Sequence, residues 1–220
     1  SMAGAVAGAV CAMVMAPLQL ANDEAAMAKF FEVLARQAKI PIMLQNAPPP
    51  MGAGLAADTI GRILERVPEI HYVKEETVPC GQRMEEILRK RVGSLKGVFG
   101  GAGGRHIIDE LNRGALGTLP ASELCDMHVM LTRAYARKDI ATARDLFVRM
   151  LPILNLQAVF RCSLTKEVLR LRGIIKSSFV RAAGPVVDAS DIAELHAFWR
   201  LVEEHMGPLR PMRDRAAMVG

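Results

Sequence analysis

Five short apolar runs, separated by helical patterns, occupy the first 120 residues, and this alternation constrains the chain more than any other feature. The runs are CAMVMA (11–16), PIMLQN (41–46), EIHYVK (69–74), LKGVFG (95–100) and ALGTLP (115–120). They carry no polar alternation, the pattern of strands covered on both faces. Between them lie DEAAMAKFFEVLARQA (23–38), AADTIGRILERV (56–67), GQRMEEILRKRV (81–92) and GRHIIDELNR (104–113). Apolar residues such as Phe30, Phe31, Leu34 and Ala38 recur at three- and four-residue spacing, so each helix has a face to lay on a sheet. The first four runs begin at residues 11, 41, 69 and 95, which is the repeat of a βα unit. Alternation with short connections predicts parallel strands and right-handed crossovers, and leaves two architectures: the doubly wound open sheet and the eightfold barrel.

After residue 120 the strand signal stops. Four helical patterns follow, near 121–137, 139–157, 164–173 and 190–206, so residues 1–120 are expected to form βα units and 121–220 a helical extension. With 220 residues, 51% of them hydrophobic, the chain can bury a sizeable core. Its net charge of +5 is spread through the helical segments and aromatics make up only 5%, so nucleic acid is not an expected partner. The run AGAVAGAVCAMVMAP lacks a basic segment before it, and its apolar stretch of about 15 residues is short for a membrane span. It reads as the end of a buried helix followed by a buried strand, and no membrane association is expected. Cys11, Cys80, Cys125 and Cys162 form no CxxC pair and no Cys/His cluster at ligand spacing. Reduced thiols in a cytoplasmic protein, without a metal, are expected.

In either architecture, sites gather at the ends of the strands, and the loops there hold the unusual residues: Gln45 to Pro50, Lys74 to Thr77, and Gly100 to Gly104. Lys74 would be the last residue of the third strand and, by two-residue alternation, share a face with Tyr72 and Ile70. In an apolar barrel interior, desolvation disfavours the ammonium and frees the amine to attack a carbonyl. A strand-end lysine snorkelling into water fits the same position. Glu76, on the same face, would pair with the ammonium, and spacing alone leaves both readings open. The stretch FGGAGGR matches neither GxxxxGK[ST] nor GxGxxG, whose sixth position counted from Gly101 is His106. It reads as a turn that lets backbone approach a small ligand, with amides at the start of helix 104–113 available to an anionic group. His71 should point toward the helices; His106, His128, His196 and His205 have no partner at ligand or triad spacing. The 13 methionines read as core filler.

Taken in order, GAVCAMVMAP, IPIMLQNAPPPMG, IHYVKEE, GVFGGAGG and RGALGTLP resemble the fourth to eighth strands of the dihydrodipicolinate synthase/N-acetylneuraminate lyase family of class I, Schiff-base-forming (β/α)8 barrels. TKEVLRLRG and VRAAGP resemble the family's C-terminal helices. The resemblance implies an α/β TIM barrel of the class I aldolase type, here covering about strands 4–8, with Lys74 as the nucleophile that condenses with a 2-oxo acid. Gln45, Asn46, Gly100 and Gly101 would line the pocket, with Glu76 and Glu123 as further polar candidates. No metal or organic cofactor is required, because the lysine is itself the electron sink. A homo-oligomer, tetramer or dimer, is implied too.

Three departures shape the functional expectation. The family's proton-relay tyrosine aligns with Gln45, and an amide performs no acid/base work near neutral pH. Tyr72 lies one layer deeper, about 6–7 Å along the strand. The arginine that binds the aldehyde's carboxylate in dihydrodipicolinate synthases falls at about Pro50, and the neighbouring threonine at Met51, which favours a sugar-derived 2-oxo acid over aspartate semialdehyde. The chain also starts where the family's fourth strand starts, so it is read as a fragment of a longer product or a partial barrel completed by another chain. The expected activity is aldol cleavage, condensation or dehydration of a 2-oxo acid; the alternative is a non-catalytic ligand-binding or scaffold relative.

Overall fold

A computed structural model describes residues 2–209 and divides into two compact units, Ser1–Leu119 and Pro120–Gly220. In the first unit a short helix α1 (Met2–Val6) precedes β1 (Ala12–Met15), α2 (Glu24–Ala38), β2 (Ile42–Asn46), α3 (Ala57–Arg66), β3 (Ile70–Glu75), α4 (Cys80–Arg89), β4 (Gly97–Phe99) and α5 (Ile107–Asn112). The four strands form one parallel sheet in the order β1-β2-β3-β4. All four strands therefore end at the same edge, and the loops that follow them cluster there.

Helix α2 starts where Asp23 accepts a 2.9 Å hydrogen bond from the Ala26 amide, satisfying one of the orphan donors of the first turn. It stops at Lys39, which takes a left-handed conformation. The core forms between one face of the sheet and the helices. Ile42, Leu44, Ile70, Val73 and Val98 from the strands meet Phe31, Ile60, Ile63, Leu64, Met84 and Ile87, and burying each such side chain contributes about 1.5–3 kcal/mol.

The fifth run differs from the expected strand 115–120. The Leu116 amide reaches the Val98 carbonyl and the Leu119 amide that of Gly100, yet the segment makes only an isolated parallel bridge, Gly100 to Thr118. Gly114 turns the chain through a positive φ of 96° immediately before it, and Pro120 removes the donor that would extend it. The helix expected over 104–113 is shorter as well, because residues 102–104 form a single 3-10 turn with Gly103 left-handed.

The second unit is helical: α6 (Cys125–Ala136), α7 (Ile140–Phe160), α8 (Cys162–Leu171), α9 (Ala189–Trp199) and α10 (Glu203–Met206). The pattern expected as one helix over 190–206 is two. Leu201 and Val202 close i to i+3 bonds on Phe198 and Trp199, and the buried Trp199 indole donates to the Gly207 carbonyl at 2.9 Å, folding the chain back. No helix among the described residues is long and apolar enough to cross a membrane.

Candidate active site

Pairing register sets which side chains share the face opposite the helices. One row across the sheet is Met15, Gln45, Lys74 and Phe99; the row beneath it is Met13, Met43, Tyr72 and Gly97. Lys74 thus stands at the strand-end row beside Gln45, with Tyr72 one row deeper, its ring 5.8 Å from that of Phe99 in an edge-on arrangement. Ile70 does not share this face, contrary to strict alternation. The register slips by one residue on β3 between Ile42–Ile70 and Met43–Tyr72, so Ile70 joins Val73 in the core while Tyr72 and Lys74 point the other way.

Lys74 is only 8% exposed, and its Nζ lies 3.5 Å from Glu76 Oε1. The Glu76 carboxylate is fixed from two further sides. Gln45 Nε2 donates to Oε2 at 2.6 Å, and the Ala102 amide donates to Oε1 at 2.8 Å. The glycine loop achieves this by close approach: a Cβ on Gly101 would run into the Glu76 carboxyl, and Ala102 itself holds a left-handed φ of 50°, a strained conformation for a residue with a side chain. The glycines of FGGAGGR therefore make room for a carboxylate on this protein's own chain.

Alternation sends Glu75 to the opposite face. There it is fully buried, accepting from Asn46 Nδ2 at 2.8 Å and from the Thr77 amide at 2.6 Å, with Arg83 Nε at 3.6 Å. Burial pushes its carboxyl above the ordinary range, against the pull of these donors. Asn46 is on this face too, apart from Gln45. Its amide is wholly buried and clamps the Leu55 backbone in both directions, donating to the carbonyl at 3.0 Å and accepting from the amide at 2.7 Å. It shapes the loop after β2 and does not line the face that bears Lys74.

Gly100 also turns away from Lys74: a Cβ there would strike the carboxyl of Glu110, a fully buried residue of α5. Glu123 belongs to the helical unit, where it is buried, accepts from the Thr165 hydroxyl at 2.8 Å and is pushed up by burial. The structure thus groups Lys74, Gln45, Glu76 and Gly101. Sequence reasoning missed the Ala102 amide, Arg83 and Glu110; the acidic residue in the helix after a glycine run was the available signal for the last. No cluster of His, Cys, Asp and Glu suited to a metal ion occurs among the described residues.

A buried amine, a carboxylate and an amide held together on one face of the sheet can form and hydrolyse an imine, since the carboxylate is placed to move the amine's proton. A model of the dihydrodipicolinate synthetase family matches residues 2–198. L-2-keto-3-deoxyarabonate dehydratase of Azospirillum brasilense is 29% identical over 202 residues, covering 89% of this chain and 64% of that protein. A 4-hydroxy-tetrahydrodipicolinate synthase of Exiguobacterium sp. is 29% identical over 166 residues, covering 67% of this chain and 50% of the relative. Among solved structures, dihydrodipicolinate synthase from Rhodopseudomonas palustris matches with a TM-score of 0.76 at 22% identity, covering 86% of this chain and 65% of its own. The α/β fold is that of a TIM-barrel aldolase, and the chain spans between half and two thirds of the curated relatives it matches.

Proposed function

Because the chain belongs to the dihydrodipicolinate synthetase family of lyases, we propose that it carries the Schiff-base site of a lyase acting on a sugar-derived 2-oxo acid, with dehydration as its reaction. The observation that carries this reading is the buried Lys74 Nζ at 3.5 Å from Glu76 Oε1.

Glu76 takes the proton from the Lys74 ammonium, and the free amine attacks the 2-oxo carbon. The same carboxyl returns the proton to the carbinolamine hydroxyl, which leaves as water, and the imine remains. Glu76 takes a proton from C3 to give an enamine and delivers it to the C4 hydroxyl, which leaves as water; hydrolysis of the resulting unsaturated imine then releases the dehydrated 2-oxo acid and Lys74. Gln45 transfers no proton itself. Its amide is spent on Glu76, so the acid/base work that a tyrosine performs elsewhere in the family falls to that carboxylate.

Two features favour dehydration of a hydroxylated acid over condensation with aspartate semialdehyde. Pro50 and Met51 stand where the family's carboxylate-binding arginine and its threonine neighbour would be, and one similar protein is a 2-keto-3-deoxy acid dehydratase. Borohydride reduction in the presence of pyruvate, and of L-2-keto-3-deoxyarabonate, should leave a mass adduct on Lys74, and Lys74→Ala should abolish it. A folded chain that gives no adduct with either acid sinks the reading.

The replacement of the relay tyrosine by Gln45 favours a second reading, a relative that binds a 2-oxo acid without turnover. Calorimetric binding with neither trapping nor product would establish it. In both readings the sheet and the segment 115–120 take the places of strands 4–8 of a barrel in a cytoplasmic homo-oligomer, dimer or tetramer. Light scattering at several concentrations tests the assembly.

A further inference from the structure

Gly100 and Gly101 separate two glutamates. Glu76 lies against Gly101 on the Lys74 side, and Glu110 lies against Gly100 on the other, each so close that a Cβ on the glycine would strike the carboxyl. Glu110 is 0% exposed, and neither carboxyl oxygen meets a hydrogen-bond partner among the described residues. Carboxylates are rarely left bare in this way, because an ionised group without donors is far costlier to bury than a neutral acid.

We propose that Glu110 is a positioning residue for the Lys74 site, a neutral acid behind the glycine pair that leaves Glu76 as the single negative charge facing the substrate. The inference rests on the Schiff-base reading above. The groups facing Glu110 agree with it. Asp109 on its own helix and Glu76 across the glycines both oppose its ionisation, and burial opposes it most; together they push its carboxyl up to about 8. Cys80, at the start of α4, stays a thiol, pushed up to about 12 by burial and by Glu110 itself. Among the described residues the nearby arginines are engaged elsewhere: Arg113 by Asp109 and Glu85, and Arg83 by Glu75 and the Leu55 carbonyl.

An anionic 2-oxo acid approaching Lys74 then meets one carboxylate at neutral pH and two once Glu110 ionises. A second unit charge one layer behind the first should weaken binding of a monoanion roughly fivefold. The test is the half-saturating pyruvate concentration for borohydride trapping, measured from about pH 6.5 to 9.5 in the wild-type chain and in E110Q. The ratio of the two removes every pH dependence that both proteins share. Wild type should lose affinity relative to E110Q by several-fold across the range, with the midpoint near the Glu110 ionisation. E110M, neutral and of similar volume, serves if E110Q does not fold. Trapping with superimposable pH profiles overturns the role of Glu110 and leaves the Schiff-base reading standing; no trapping in wild type at any pH overturns both.

Discussion

Gln45 Nε2 donates a 2.6 Å hydrogen bond to Glu76 Oε2, joining two residues 31 positions apart whose side chains meet because Gln45 and Lys74 are register partners. The amide thereby fixes the carboxylate beside the lysine. A hydrogen bond to a charged group contributes about 1.5–3 kcal/mol. Gln45→Leu, which keeps the size and removes the donor, should lower the rate of imine trapping roughly tenfold or more and leave the fold intact. Gln45→Glu should be worse, since two adjacent carboxylates must share a proton. Trapping rates with pyruvate, beside circular dichroism, check both.

Two adjacent glycines of the loop each face a carboxyl, and the one at Gly101 belongs to the site. Gly101→Ala drives a methyl group into the Glu76 carboxyl and should cost about 1–3 kcal/mol of stability together with most of the imine chemistry. Gly93, with open space around its Cβ position, provides the control: Gly93→Ala should be neutral or stabilise by up to about 1 kcal/mol. Urea unfolding of the two variants separates the outcomes.

Asn46 and Lys74 should show opposite signatures. Asn46→Ala leaves the Leu55 amide and carbonyl and the buried Glu75 short of partners, and should destabilise the chain by about 2–4 kcal/mol. Lys74→Ala removes a charge while Glu76 keeps its bonds to Gln45 and Ala102, so stability should change by less than about 1 kcal/mol while trapping disappears. Chemical denaturation alongside the adduct assay distinguishes a loop-shaping residue from a nucleophile.

Stability should fall as pH rises from weakly acidic to mildly alkaline. Glu110 ionises at about 8 when folded against an ordinary value of 4.5, so the folded chain holds a proton the unfolded chain has lost. Its contribution is fully present below the ordinary value, declines at up to about 1.4 kcal/mol per pH unit, and levels off above the folded one. Glu75 and Glu123, also pushed up by burial, add in the same sense. Carboxylates lowered by a salt-bridging partner, such as Glu24 beside Arg62, act oppositely and only in more acid solution. Melting temperature should therefore peak near about pH 5 and decline toward pH 8, with a shallower decline in Glu110→Gln.

The strands β1 to β4 and helices α2 to α4 were legible because their apolar periodicities are unbroken and long enough to name a layer for each residue. The segment 115–120 was misread because apolar content does not reveal the turn at Gly114 or the donor missing at Pro120. At the site, alternation alone placed Lys74 and Glu76 on one face. The contact of Gln45 with Glu76 depends on inter-strand register, which no single strand encodes. Asn46 and Gly100 illustrate the same limit: each adjoins a site residue in sequence and faces the other side in space. Glu110 carried only the weak signal of an acidic residue in the helix after a glycine run, since its proximity to Gly100 comes from the packing of α5.

The slip in β3 has an arithmetical consequence. Between Ile70, which belongs under the helices, and Lys74, which belongs at the open end of the sheet, lies an odd number of residues, and regular pleating would leave one of the two facing the wrong way. His71 is the spare residue that absorbs the mismatch. A chain lacking His71 would pass from Ile70 to Lys74 in an unbroken ladder with both correctly aimed and Tyr72 still beneath the lysine, whereas one lacking Val73 would aim the same two residues correctly but carry Tyr72 to the helix side. A one-residue deletion in this strand thus spares the aim of the nucleophile and keeps or displaces the aromatic ring beneath it according to which residue is removed.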